Sequence, residues 1–113
     1  MPPRDQIRKG STEILLLSLL AKKPMYGYEI SQQLEQHHGG YFAMKEGLLY
    51  PALHRMKQDG WLESEWREVE GRRRKYYILT PTGRKILGEQ AAEWQTFLDA
   101  LKSLLKASEL WTE

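Results

Sequence analysis

The order of patterns along this chain predicts a mainly α-helical fold class with one small β-hairpin set among the helices. Three observations carry that expectation. Apolar residues recur at helical spacing in three successive segments before Gly60, two aromatic-rich stretches flank a basic turn at Gly71, and one helical pattern runs from Pro81 almost to the end. With 113 residues, 41% hydrophobic, 28% charged and net charge +2, the chain suits a single hydrophobic core and is not disordered. Its longest apolar run, Ile14 to Leu17, falls far short of the roughly 20 residues of a membrane span, so no membrane partner is expected. The absence of cysteine and of a secretory-type leader points to a reducing cytoplasm.

Ser11-Thr12 offers a cap for a first helix through Ile14, Leu15, Leu16, Leu17, Leu19 and Leu20, which Pro24 cannot continue. A second helix is predicted from Tyr26-Gly27 to His37, with Ile30 and Leu34 on its buried side and Gly39-Gly40 breaking it. The third spans about Glu46 to Gln58, where Leu49, Ala52, Leu53 and Met56 form an apolar stripe. Pro51 lies within that pattern, so the helix should begin no earlier than Glu46 or Gly47. Tyr50, His54 and Gln58 fall on its polar side, flanked by Pro51, Arg55 and Lys57, with Lys45 at its start.

After Gly60, residues 61–66 read as a strand, 67–74 as a charged turn, and 75–79 as a second strand. Thr80-Pro81 then caps a helix of about 26 residues, extending roughly 39 Å. Leu87, Ala91, Trp94, Leu98, Leu101 and Leu105 repeat on it at alternating spacings of four and three, and Gln90, Phe97 and Leu104 widen the stripe. Such a seam outruns the surface of a small domain and calls for a second chain, which makes these apolar residues the expected homodimer interface.

Charge is segregated along the chain. Residues 1–66 are balanced, whereas 67–85 carry Arg67, Arg72, Arg73, Arg74, Lys75, Arg84 and Lys85 against only Glu68 and Glu70. A basic focus on a near-neutral protein suits a polyanionic partner, although a solvated loop has the same composition. Three helices followed by a basic hairpin make the order of a winged helix-turn-helix, a mainly α fold with a two-stranded β-hairpin wing, here extended by a long C-terminal dimerisation helix. The expected division is residues 1–80 as DNA-binding domain and 81–113 as dimerisation helix, together one structural unit. In that arrangement the third helix enters the major groove. Lys45, Arg55 and Lys57 are suited to phosphates, His54 and Gln58 to base edges, and Tyr50 to phosphate, sugar or a thymine methyl. Arg72, Arg73, Arg74 and Lys75 are expected to project from the wing tip toward backbone or minor groove. The alternative is a winged helix whose polar face binds a protein and not specific DNA. His37-His38 lacks a third ligand at metal spacing, no cofactor is implied, and no nucleophile arrangement or phosphate-cradling glycine loop marks an enzyme.

Four separated motifs add a resemblance. Met25-Tyr26-Gly27-Tyr28-Glu29-Ile30, Glu46 to Met56 with its Tyr50-Pro51 pair, Asp59-Gly60, and Gly71 to Tyr77 followed by Leu79-Thr80-Pro81-Thr82-Gly83 resemble the PadR family of bacterial transcriptional regulators. The likeness covers about residues 10–105. It implies a repressor that binds a pseudo-palindromic operator on double-stranded DNA as a homodimer, with Tyr50, Pro51, His54 and Arg55 on the recognition helix and Arg72 to Lys75 on the wing. It also implies a cytoplasmic, nucleoid-associated protein and a small planar or phenolic effector. Trp94 on the seam is the candidate effector contact, with a packed core tryptophan as the alternative. The chain departs from the pattern where Lys45 and Glu46 replace the usual hydroxyl residue before the recognition helix, and where Leu48 replaces a small hydroxyl residue.

Overall fold

The computed structural model describes residues 3–112, with side chains from Gly10 onward. Helix α1 spans Pro3–Leu20, strand β1 Met25–Tyr26, α2 Gly27–Gln36, α3 Glu46–Gln58, β2 Leu62–Val69, β3 Arg72–Leu79 and α4 Pro81–Ala107. A short turn, His37–Gly40, follows α2, with His38, Gly39 and Gly40 all at positive φ. The winged-helix order is therefore present, with the long terminal helix.

Two boundaries differ from expectation. Helix α1 starts at Pro3, so Ser11 and Thr12 are buried positions inside it and not its cap. Arg4 to Lys9 contain no helix breaker, and a hydroxyl residue opens a helix only where the preceding residues cannot already be helical. The hairpin is also longer than predicted. Val69 pairs with Arg72, which leaves only Glu70 and Gly71 in the turn, at φ 54° and 79°. Two consecutive positive-φ residues are the mark of a type I′ turn, whose twist matches that of the strands, so pairing continues through residues read as loop.

The sheet is antiparallel in the order β1-β3-β2, with Met25 opposite Tyr77 and Tyr26 opposite Tyr76. A two-residue strand gives no period to detect, and β1 was expected as the start of the second helix. Leu16, Leu17 and Leu20 from α1, Ile30 and Leu34 from α2, Leu49, Leu53 and Met56 from α3, and Leu62, Tyr77 and Leu79 from the sheet fill one core. Pro51 is the sixth residue of α3, within its second turn, on the exposed side.

Thr80 caps α4 as predicted. Its hydroxyl accepts from the Gly83 N–H at 2.9 Å and lies 2.7 Å from the Gly60 carbonyl, to which it donates. Gly83 has no alternative here, because a Cβ would stand 2.1 Å from the Trp61 carbonyl oxygen. That contact fixes how α4 leaves the wing root. Ile86 and Leu87 still pack on the core, but farther along Phe97, Leu98, Leu101 and Leu104 are exposed. Leu87, expected at the head of the dimer seam, is thus held by its own chain.

Candidate nucleic-acid interface

Helix α3 buries Leu49, Ala52, Leu53 and Met56, and this stripe turns Pro51, His54 and Gln58 directly outward. Lys45 stands at its N-cap without a side-chain capping bond, consistent with the loss of the usual hydroxyl. Lys57 and Lys45 are exposed beside it. Two of the predicted residues sit differently from a simple wet face. Arg55 leans back toward α1, its Nε 3.7 Å from Glu13 Oε2. Tyr50 lies on the flank and closes over the first residue of α2, so near that a Cβ on Gly27 would meet its hydroxyl at 2.5 Å. The Gly27–Tyr50 contact sets the angle between α2 and the recognition helix. Behind it, burial first and Tyr50 second raise the pKa of the Tyr77 hydroxyl.

A cleft of about 650 Å³ opens in front of α3, lined by Tyr28, Ser31, Glu35, Ala43, Met44, Lys45, Glu46 and Tyr50. Its α2 wall carries a short relay: Gln36 Nε2 reaches Gln32 Oε1 at 3.5 Å, and Gln32 Nε2 donates to the Tyr28 hydroxyl at 2.7 Å. The Tyr28 O–H proton is thereby left to point elsewhere. Neither Tyr28 nor Ser31 was anticipated from the sequence, where the α2 pattern distinguishes only buried from exposed.

The wing divides its cations between two faces, because alternate residues of a strand point to opposite sides. Arg72 and Arg74 share a face with Tyr76; Arg73 and Lys75 share the other with Tyr77. The four basic residues therefore do not project together from a tip, as the sequence suggested. Arg74 lies 4.4 Å from the Tyr26 ring centroid and donates to the Tyr26 hydroxyl at 2.8 Å, bracing the wing against β1. Opposite it, Arg67 lies over Tyr76 and bonds Glu65 at 2.6 Å. Arg72 and Arg73 remain well exposed, Arg73 over the Trp66 ring at 5.1 Å.

On α4, Glu93, Trp94 and Phe97 line an open depression of about 250 Å³, with the Trp94 and Phe97 rings edge to face at 5.8 Å. Among the described residues no group of three or more His, Asp or Glu could hold a metal, and no helix is long and apolar enough to cross a membrane.

An outward polar helix face, a basic hairpin beside it and a helix-turn-helix core define a winged-helix protein of the DNA-binding class. The profile of the PadR-like transcriptional regulator family matches residues 16–89. The chain is 38% identical over 84 residues to transcriptional regulator Rv3488 of Mycobacterium tuberculosis, covering 74% of this chain and 76% of that one. Its fold superposes on a PadR-like transcriptional regulator from Bacillus cereus with TM-score 0.81 and 33% identity, covering 88% and 96% of the two chains. A PadR family regulator from Eggerthella lenta gives 0.77 and 34%, covering 88% and 86%. The protein belongs to the PadR-like family: it is a DNA-binding transcriptional regulator and not an enzyme.

Proposed function

We propose that the protein is a homodimeric repressor of a pseudo-palindromic operator, in which two copies of α3 enter successive major grooves and the wings take the adjacent minor groove. The observation that carries this reading is the uncovered apolar stripe of α4, where Phe97 and Leu98 are each 55% exposed and Leu104 71%. The chain has an accessible surface of 7984 Å², against roughly 6,500 Å² for a compact monomer of its mass. The excess is of the order that each partner buries in a substantial two-fold interface. A radius of gyration of 16.1 Å, against about 13 Å for a compact domain of this length, points the same way.

Within the dimer, residues 1–80 form the reading head, and residues 81–113, whose helical part is α4 (Pro81–Ala107), couple the two heads. Lys45, Lys57 and Arg72 anchor phosphates, His54 and Gln58 address base edges, and Arg73 enters the minor groove. Arg74, tied to Tyr26, holds the wing at its working angle. A planar or phenolic effector seated beside Trp94 between the subunits would change the separation of the two heads and release the operator. On this reading the protein works on the nucleoid of a bacterial cytoplasm.

The test is a titration of the duplex recovered by selection from genomic fragments, alongside a duplex carrying only one half-site and a random duplex. The full site should bind at least a hundredfold more tightly than the half-site, with affinity falling steeply as salt rises. Equal affinity for full and half sites would refute the two-headed mechanism. Equal affinity for all three, with little salt dependence, would favour a protein-binding winged helix.

A further inference from the structure

Trp66 is 59% exposed on β2, at a position where an indole contributes little to the core. The register places it opposite Lys75, with Ser64 opposite Tyr77 and Leu62 opposite Leu79 nearer the root. Leu62, Tyr77 and Leu79 on that face are buried in the same core as Leu49, Leu53 and Met56 of α3. The face holding Trp66, Lys75 and Arg73 is therefore the outward continuation of the side on which the recognition helix packs. On the opposite face Arg67 and Arg74 are already engaged by Glu65, Tyr76 and Tyr26. Glu68 stands opposite Arg73 in the ladder, but among the described residues no carboxylate lies within ion-pair distance of Arg73; its close neighbour is the indole of Trp66, 5.1 Å from its guanidinium carbon.

We infer that Trp66 is a positioning residue for DNA reading: it holds Arg73 on the recognition-helix side of the wing for entry into a narrow, A·T-rich minor groove. Stacking engages only the flat face of a guanidinium, so its N–H edges stay free to donate. The narrow minor groove of A·T tracts concentrates negative potential and favours an inserted arginine, whereas G·C flanks give less of that advantage. An arginine that is free in solution must surrender side-chain freedom on entering the groove, and one already laid against an indole surrenders less. The inference rests on the proposed contact between wing and DNA.

The experiment measures binding of wild type, Trp66→Ala, Trp66→Phe, Arg73→Ala and the Trp66→Ala/Arg73→Ala double variant. The probes are two duplexes sharing the selected core site, one with A·T flanks and one with G·C flanks. Thermal unfolding of every variant is followed in parallel. Trp66→Ala should weaken binding to the A·T-flanked duplex about two- to fivefold, the equivalent of roughly 0.5–1 kcal/mol for an exposed cation–π contact. It should do so with an unchanged melting temperature and a smaller effect on G·C flanks. Trp66→Phe should restore most of the loss, and the double variant should be no weaker than Arg73→Ala alone. Losses that multiply in the double variant, equal losses on both flanks, or a parallel fall in melting temperature would overturn the inference. If Arg73→Ala weakens binding while Trp66→Ala does not, the inference fails and the wing contact stands. If Arg73→Ala binds like wild type, the wing contact fails and takes the inference with it.

Discussion

Replacing Leu98 and Leu101 by glutamate should separate the proposed dimer into folded monomers. Leu98 retains 55% of its surface in the single chain and Leu101 39%, so that much remains to be covered by a partner. Full burial of a leucine side chain contributes about 1.5–3 kcal/mol, and a two-fold interface presents each position twice. Scaled by the surface still open, the four leucines account for roughly 3–6 kcal/mol of association, which corresponds to a weakening of about 10² to 10⁴ in the dimer dissociation constant. Carboxylates left in the seam add to that loss. Because both positions lie beyond the part of α4 that packs on the core, the fold itself should be retained. Sedimentation velocity at micromolar concentration reads the change directly, as a shift from a dimeric to a 13.3 kDa species. Operator affinity measured on the same samples should fall toward that of random DNA. A double variant that stays dimeric, or a monomer that binds the operator as wild type does, would refute the reasoning.

Three further outcomes follow from particular contacts. Gly27→Ala should displace the Tyr50 ring and cost about 1–3 kcal/mol of stability, with recognition of the operator impaired; an unchanged melting curve would mean that Tyr50 is not seated on α2. Glu70→Asn should raise stability by about 0.5–1 kcal/mol, because asparagine tolerates the left-handed backbone of a type I′ turn better than glutamate does; chemical denaturation checks it, and a loss of stability would contradict the turn assignment. The raised pKa of Tyr77 makes its ionisation harder in the folded than in the unfolded chain. Any stability it governs is intact below pH 10 and declines as pH rises above that value; Tyr77→Phe should lessen the alkaline loss in melting curves, and an identical loss would exclude Tyr77 as its source.

Much of the fold was legible because its signals are local and periodic. The α3 stripe at Leu49, Ala52, Leu53 and Met56, and the Thr80-Pro81 start of α4, follow from side-chain spacing and capping chemistry that tertiary packing does not alter. What was missed depends on contacts between distant residues. The N-terminal half of α1 carries no strong apolar stripe, and the Ser11-Thr12 pair offered a cap that the uninterrupted helix never uses. The extent of the hairpin hinges on Glu70 taking a positive φ, which glutamate seldom does, so the turn was drawn too wide. Among the expected DNA contacts, His54 and Gln58 point outward as the helical wheel requires. Tyr50, Arg55 and Arg74 are held instead by Gly27, Glu13 and Tyr26. Those partners lie 23 to 48 residues away in the chain, separations at which no periodic pattern reports a contact. Trp66 could have been recognised only from the register that sets it in line with Leu62 and beside Lys75.

Base-resolution protection of the selected operator tests the central claim most directly. Two α3 helices related by a two-fold axis should protect two half-sites in the major groove, centred about 10–10.5 base pairs or a multiple of it apart, with minor-groove protection alongside each from the wings. His54→Ala should weaken the base-specific contacts while leaving the spacing of the two half-sites unchanged. A single protected tract without dyad symmetry, or protection that follows no sequence at all, would contradict a paired major-groove reader.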